Sequence, residues 1–427
     1  MKRFLVFILL IICTISPIYA VDSSKLAHSG SDKHKITLEE AINMALEGNI
    51  ELQEQRKNLG ISKYAVKKAG AFKNPQFQTN LLIGPIARGN SSQIGLMLPI
   101  EVLKRGERKK AALSELDYTQ NKIKDYEFKL NLRVRTSYFN LLIAKSELKI
   151  LEERKELLEE LLEISKNKSK TSPNYEIDVL QADMRLKKLL VQINRAQADI
   201  RTAQYSFNKV LNLANNPTLY DSKEDSVFGQ EFFTKLELPS YEELESIAFN
   251  NRYDIKMSEA KIIKAKRDLS VITKQRIPDL YVAGGYAFAH DGTSAPDVGA
   301  GVDIHALYRY TPEIESAKLE LDKAQLEYNS IINITKNVIH TNHDKFIMAQ
   351  ENVEHYKNIL DESNKILNLS KQRYQKGQTS LTNLIIVEHS HQELLNEFID
   401  AMKEYYNAYM ALLQELGLDN LTIDVDL

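Results

Sequence analysis

The sequence of 427 residues is short of the residue types on which much protein chemistry depends. It has no tryptophan and one cysteine, Cys13, which lies in an N-terminal apolar segment. Beyond that segment there is consequently no disulfide and no thiol chemistry. No glycine-rich phosphate loop, nucleophile elbow or paired-carboxylate motif occurs, so we expect neither catalysis nor a cofactor.

Glycine (16) and proline (10) are also scarce for this length. Together with abundant Leu, Lys, Glu and Ala, this composition is typical of long helices. The 56 Lys and Arg residues are balanced by 58 Asp and Glu, for a formal charge of −2. Because the chain has no basic excess, we expect no nucleic-acid partner.

Residues 1–20 have the pattern of a secretory signal peptide. Lys2 and Arg3 precede an apolar run from Phe4 to Ile15, and Ile18-Tyr19-Ala20 forms a cleavage site. The run is shorter than the roughly 20 residues that a membrane-spanning helix needs, which argues against a single anchor. We therefore predict export of the mature chain.

The remainder of the chain is internally duplicated. Matching positions lie 203, then 206, then 205 residues apart, and include Thr37 and Ser240, Pro75 and Pro278, Glu107 and Glu313, and Asp178 and Asn383. An ordered series of this kind predicts one structural unit present twice. The predicted divisions are a polar leader (21–35), a first repeat (36–213), a turn-rich acidic linker or small side element (214–239), a second repeat (240–418) and a loose tail (419–427).

Each repeat should begin with a helix. Thr37 with Glu40, and Ser240 with Glu243, match the capping box, in which a hydroxyl and a carboxylate satisfy free backbone donors. We predict helices from these caps to about Ala71 and Gln275, because the following prolines disfavour helix.

Strict alternation follows each proline and predicts strands. One face would carry Phe77, Thr79, Leu81 and Ile83, then, after a turn at 84–92, Ile94, Leu96 and Leu98. The second repeat would carry Leu280, Val282, Tyr286 and Phe288, then, after a turn at 290–297, Val298, Val302 and Ile304. Runs of about ten residues suit strands of a membrane barrel, although an ordinary soluble hairpin is the alternative for any one pair.

Long helices complete each repeat. From about Gly106 to Ser165 there is no proline, and apolar residues recur at coiled-coil spacing. The return helices have heptad seams: Leu186, Leu189, Ile193, Ala196, Ile200, Ala203, Phe207 and Val210 in the first, and Leu394, Phe398, Ala401, Tyr405, Ala408 and Leu412 in the second. Two long helical hairpins follow, turning near 171–173 and 376–378.

Four strands cannot close a barrel, because the smallest membrane barrels have eight. Two chains would supply eight strands and three would supply twelve. Small residues on the second face, among them Ala283, Gly285 and Gly301, suit an open lumen, so we favour three.

With these features the chain resembles the TolC-like outer-membrane efflux channels, and more narrowly the CzcC and CusC branch that serves heavy-metal efflux. The resemblance spans about 36–418 and rests on the duplication and on Asn74-Pro75, Leu98-Pro99-Ile100-Glu101, Lys104-Arg105-Gly106-Glu107-Arg108, Leu307-Tyr308-Arg309 and Asp178-Val179-Leu180. It implies a mainly α protein with a membrane β-barrel portion. Three chains would share a twelve-stranded barrel in the outer membrane, above an α-helical barrel in the periplasm.

The resemblance also implies partners and a gate. The partners are outer-membrane lipid, a periplasmic adaptor and an inner-membrane pump of the RND type. Acidic residues at the start of the return helices ring the periplasmic mouth in relatives, which makes Tyr175, Asp178, Ser380 and Asn383 candidates here. Asn383 replaces an acid, and such a mouth would attract cations less strongly. The alternative is that Asp178 only caps a helix.

His340 and His343 lie one turn apart and invite a metal-site hypothesis, but two histidines are weak support, and a solvated helix face is the better interpretation. The function we predict is a passive exit duct for an efflux system, with heavy-metal cations as the candidate substrate. The alternatives are a duct for drug efflux or type I protein secretion, a solute porin, and a periplasmic coiled-coil adaptor.

Overall fold

The computed structural model describes residues 34–81, 91–170, 173–213, 218–228, 233–289, 292–304 and 307–420. The predicted signal peptide and most of the predicted leader lie outside these residues, as do 82–90, Thr171, Ser172 and most of the predicted tail. Within the described part, Asp419 and Asn420 of that tail accept hydrogen bonds from Asn131 and Tyr409.

The helices and strands repeat in the predicted order. The first repeat contains α1 (Leu38–Gly48), α2 (Ile50–Ala69), β2 (Gln76–Asn80), β3 (Ser91–Ile100), α3 (Lys104–Ser169) and α4 (Glu176–Leu211). The second contains α5 (Tyr241–Asn251), α6 (Tyr253–Lys274), β5 (Asp279–Ala289), β6 (Ser294–Asp303), α7 (Thr311–Gln375) and α8 (Leu381–Leu416). Two short strands, β1 (His34–Ile36) and β4 (Tyr220–Ser222), precede and separate the repeats.

Both capping boxes are present at the predicted positions. The Thr37 hydroxyl accepts from the Glu40 amide at 3.2 Å, and the Glu40 carboxylate accepts from the Thr37 amide at 2.7 Å. Ser240 and Glu243 make the same two bonds. The prediction of one continuous helix after each cap is wrong, however, since the chain breaks at Asn49 and again at Arg252.

The residues before and between the repeats, which we predict as a polar leader and as a linker or small side element, include two short strands. The predicted leader ends in β1, which pairs in parallel with β4 of the predicted linker. Lys145 on α3 makes an ion pair of 2.9 Å with Asp221, and Val227 is buried. The predicted linker is thus a small side element packed on α3 rather than a free connection.

The other four strands form an antiparallel sheet in the order β2–β3–β5–β6. The predicted turn at 290–297 is too long, because β6 already begins at Ser294. The register repeats as the sequence does: Gln76 opposes Met97 in the first hairpin, and Asp279 opposes Asp303 in the second. These pairs are related by the shifts of 203 and 206 residues, so the duplication holds at the level of strand register.

The long helices form two antiparallel hairpins, α3 with α4 and α7 with α8, and α3 also contacts α8. At 1.5 Å per residue, the 66 residues of α3 and the 65 of α7 span roughly 100 Å each. The heptad seams face the helix contacts, with Leu189, Phe207 and Leu412 fully buried. The main core lies where α1, α3, α4, α5, α7 and α8 meet.

Candidate functional site at the hairpin tips

Both hairpins turn at the same end of the molecule, far from the sheet. A second, smaller core joins their tips and includes Leu158 and Leu161 from α3, Leu189 from α4, and Leu381 and Leu384 from α8. The first tip ends in a 3₁₀ turn, Pro173–Tyr175, which leads into α4. The second turns at Gly377, whose φ of 71° is a conformation that glycine adopts readily.

Tyr374, in the last turn of α7, lies where the tips of the two hairpins meet. Its side chain is 1% exposed. The Tyr374 hydroxyl lies 2.9 Å from the Ser165 hydroxyl on α3 and donates a long hydrogen bond of 3.4 Å to the Asp178 carboxylate on α4. Burial raises the pKa of Tyr374, so the phenol stays protonated and available as a donor. One phenol therefore connects three helices from both hairpins.

Lys168, in the last turn of α3, reaches across to the same residue. The Lys168 ammonium lies 3.8 Å from the centre of the Tyr374 ring and donates a hydrogen bond of 2.5 Å to the Tyr374 carbonyl. It also lies 5.5 Å from the centre of the Tyr175 ring. Burial lowers the pKa of Lys168, and the charge of Asp178 opposes that effect. Such cation–π contacts are strongest where the ammonium is partly desolvated, as here.

The four residues predicted for this site fall into two groups. Tyr175 and Asp178 lie at the start of α4, within the Tyr374 and Lys168 cluster. Asp178 is the third residue of α4 and Tyr175 is its N-cap, so Asp178 is not the helix cap itself. Ser380 caps α8 by accepting from the Asn383 amide at 3.3 Å, and the exposed Asn383 side chain donates to Thr379.

Sequence reasoning missed three contributors to this cluster, namely Ser165, Lys168 and Tyr374. A signal was available, since Lys168 and Tyr374 are 206 positions apart and so occupy equivalent places in the two long helices. Sequence spacing alone does not reveal that these two equivalent residues pack on each other, because that contact depends on how the hairpins meet.

His340 is exposed, as predicted for a solvated helix face, whereas His343 is largely covered. The Tyr241 ring of α5 lies between them, with centroid distances of 4.4 and 4.5 Å. Nε2 of His340 is 3.1 Å from Glu245, and Nδ1 of His343 is 3.0 Å from Asp344. The His343 side chain is only 13% exposed. Among the described residues, no group of three or more His, Cys, Asp or Glu side chains is arranged to hold a metal ion.

Comparison with solved structures shows which known proteins share this architecture. CusC superposes with a TM-score of 0.74 at 14% identity, covering 92% of this chain and 95% of its own. The Campylobacter jejuni CmeC outer-membrane channel gives 0.69 at 17%, covering 95% and 93%. The open state of the Neisseria gonorrhoeae MtrE outer-membrane channel gives 0.71 at 16%, covering 90% and 89%. The chain has the fold of outer-membrane channels.

This channel fold extends over both repeats, because each superposition covers nine-tenths or more of the chain. No family model matches the sequence, and no curated protein matches it. At identities of 14–17% the likeness establishes the fold alone. Within the described ranges, no helix combines the length and apolarity needed to cross a membrane.

Proposed function

We propose that this chain is one of three subunits of an outer-membrane channel that serves as the exit duct of an efflux system. The observation that carries the proposal is the apolar face of the four-stranded sheet. Its large side chains are between 40% and 82% exposed: Phe77, Ile94, Leu96, Leu98, Ile100, Leu280, Val282, Tyr286, Phe288, Val298, Val302 and Ile304. An exposed apolar surface of this extent suits contact with lipid.

The second face of the same sheet has the composition expected of a surface that contacts water. Apart from Met97 and Tyr281, it carries mainly polar and small residues, among them Gln78, Gln93 and Asp303, which alternate with the apolar set along each strand. Alternation of this kind is the pattern of a barrel that is apolar outside and polar inside.

The edges of the sheet support sharing of the barrel between copies. β2 and β6 each pair on one side only among the described strands. Unpaired backbone groups at such edges cannot face lipid, so the sheet must continue into other chains. Three copies would give twelve strands, which leaves room for water inside, whereas eight strands would be filled by side chains.

The helices extend the duct away from the membrane. With α3 and α7 each spanning roughly 100 Å, three pairs of hairpins would form a tunnel across the periplasm. The hairpin tips would be its mouth. Asp178 and Tyr175, with Ser380 and Asn383, would line the opening, and the contacts of Tyr374 with Ser165, Lys168 and Asp178 would hold the hairpins together in the closed state.

A duct of this kind is passive and needs partners. A periplasmic adaptor would dock at the helices, and an inner-membrane pump of the RND type would supply substrate and energy. Heavy-metal cations are the substrate that we propose, from the resemblance to the CzcC and CusC branch. Drug efflux or type I protein secretion is the second candidate, since the same duct serves either.

Two experiments test the proposal. Purified protein in planar bilayers should give discrete single-channel currents, and its detergent-extracted form should have the mass of a trimer. A deletion strain should grow poorly on graded cobalt, zinc, cadmium, copper or silver. Absence of channels together with a monomeric mass would contradict the duct. Sensitivity limited to dyes, detergents and antibiotics would contradict only the metal substrate.

A further inference from the structure

Next to the sheet, the two repeats of one chain meet along one junction. Next to the sheet, the helices lie in the order α2–α3–α6–α7, which follows the strand order β2–β3–β5–β6. The junction between the repeats is therefore β3 with β5 and α3 with α6. The opposite ends of this row, β2 with α2 and β6 with α7, have no corresponding neighbour among the described residues.

Three side-chain contacts on α3 and α6 define the helical part of the junction. The Ser270 hydroxyl donates to the Glu107 carboxylate at 2.9 Å. Lys264 forms an ion pair of 3.3 Å with Glu115. The rings of Phe128 and Tyr253 pack at 6.3 Å between centroids.

The internal repeat transfers each contact to the two free ends. Adding 206 to a residue of α3 gives a residue of α7, and subtracting 203 from a residue of α6 gives one of α2. The three contacts become Glu313 with Lys67, Leu321 with Ile61, and Ile334 with Ile50. The first transferred pair is oppositely charged and the other two are apolar, so all three pairs are complementary. In no case does the transferred pair consist of the same two residue types as the internal pair.

The exposure of these residues matches a missing neighbour. Ile50 is 46% exposed, Ile61 is 66% exposed and Ile334 is 58% exposed, whereas Phe128, the counterpart of Ile334 at the internal junction, is buried. Large apolar side chains at helix faces that correspond to a packed junction are expected to be covered in the same way.

Of the three transferred pairs, the one that includes Glu313 gives the most specific evidence for a missing neighbour. One carboxylate oxygen accepts from the Tyr308 hydroxyl at 2.5 Å. The other, Oε2, is buried and accepts no hydrogen bond from any described residue. A buried carboxylate oxygen without a donor is costly. Lys67 is exposed and on the described chain its ammonium contacts only the ring of Tyr64, one turn away, at 5.1 Å.

We propose that β6 and α7 of one copy dock on β2 and α2 of a second copy, with Glu313 paired to the partner's Lys67. The strand register follows from the same two shifts. Met97 opposes Ala283 at the internal junction, so Asp303 opposes the partner's Asn80. This inference rests on the proposed function, since it needs copies that share a barrel, and it fixes which residues join them.

Disulfide cross-linking in intact outer membranes tests the register. All variants carry Cys13→Ser, which removes the only native cysteine. Cα atoms of directly opposed residues lie about 4.5–5.5 Å apart, within the range of a disulfide, whereas diagonal neighbours are about 7–8 Å apart. The variant Asn80→Cys with Asp303→Cys should form covalent dimers and higher species on oxidation. Gln78→Cys with Asp303→Cys, two residues out of register, should form at least about fivefold less.

A matched control comes from the internal junction. Met97→Cys with Ala283→Cys has the equivalent register within one chain, so its disulfide should leave the chain monomeric on a denaturing gel. Charge exchange tests the helices: Glu313→Lys should lower the recovered oligomer several-fold, and adding Lys67→Glu should restore it. Glu315→Lys, on another face of α7 and paired with Lys318, should have no effect.

The outcomes separate this inference from the function on which it rests. A conducting trimer that fails to cross-link through Asn80 and Asp303, or that is not restored by Lys67→Glu, would overturn the inference and leave the duct intact. A monomer without channel activity would overturn the duct itself.

Discussion

At the scale of single residues, charge and hydrogen bonding at the hairpin tips are contributed by different side chains. Asp178 contributes a carboxylate, whereas Tyr374 contributes a buried neutral hydroxyl that reaches both Ser165 and Asp178. Substituting each residue in turn therefore distinguishes a role in ion selection from a role in holding the tips together.

We predict that Asp178→Asn lowers the preference for cations over anions, because it removes one negative charge per subunit from the proposed mouth. Tyr374→Phe should leave that preference unchanged and raise the fraction of time spent open, since it removes hydrogen bonds worth about 0.5–1.5 kcal/mol each while keeping the ring beside Lys168. Single-channel recording in asymmetric salt measures both quantities. Unchanged conductance and selectivity in Asp178→Asn would remove this residue from the mouth.

How much of this site is predictable from the sequence depends on the residue. Asp178 is a candidate because of the resemblance to the channel family, combined with its place at the start of a return helix, which is a local feature of the sequence. Tyr374 and Lys168 are not found from the sequence. Their role depends on the contact between the two hairpins, which brings together residues about 200 positions apart in the chain. The same limit applies to His343, whose burial depends on the docking of Tyr241 from α5.

At the scale of elements, the helix breaks of the two repeats make equivalent contacts with a helix end, but through different residue types. Asn49 and Arg252 are 203 positions apart. The Asn49 amide donates to the Val210 and Leu211 carbonyls at the end of α4, at 3.1 Å each. Arg252 donates to the Glu415 carbonyl at the end of α8 and pairs with the Glu415 carboxylate. Val210 and Glu415 are themselves equivalent, at the shift of 205 residues.

The capping boxes predict the helix starts correctly because they are local, whereas these breaks need the ends of α4 and α8 as partners. Asn49 also caps α2, since its side-chain oxygen accepts from the Leu52 amide at 3.0 Å. A single side chain thus serves one helix start and one helix end. No proline marks the position, and a single glycine such as Gly48 is tolerated within a helical pattern, which is why the sequence predicts a continuous helix there.

We predict that Asn49→Ala destabilises the folded protein by about 2 kcal/mol, combining the loss of a helix cap with buried carbonyls left without a donor. Asn49 is 2% exposed, so water cannot easily replace its amide. Asn58→Ala is the matched control, because Asn58 lies in the middle of α2 and bonds only to Gln55 within its own helix in the described chain. Thermal unfolding followed by helical circular dichroism should show a clear loss for Asn49→Ala and little change for the control.

At the scale of the whole molecule, the four-stranded sheet of the described residues has two edge strands, β2 and β6, that each pair on one side only. Alternation and heptads predict the strands, the long hairpins and the need for more than one copy, because each of these follows from periodicity. The residues that we propose to join the copies do not follow from periodicity. They emerge once the register of β2 with β3 and of β5 with β6 fixes the shifts between the repeats.

The orientation of the sheet in the membrane is open to a direct test on one strand. Leu96 and Met97 are neighbours near the middle of β3 and point to opposite faces: Leu96 opposes Phe77 and Gly284, and Met97 opposes Gln76 and Ala283. Leu96 is 56% exposed on the apolar face. A lysine facing lipid near the middle of the bilayer costs about 2–4 kcal/mol, whereas one facing a water-filled lumen costs little.

We therefore predict that Leu96→Lys lowers the amount of assembled protein in the outer membrane several-fold, and that Met97→Lys assembles normally. Met97→Lys should instead shift the channel toward anions, because it adds a positive charge to the lumen in each subunit. Heat-modifiable mobility on gels measures assembly, and bilayer recording measures the selectivity. If both variants assembled equally well, the apolar face would not be the face that meets lipid, and if only Met97→Lys failed, the sheet would face the other way.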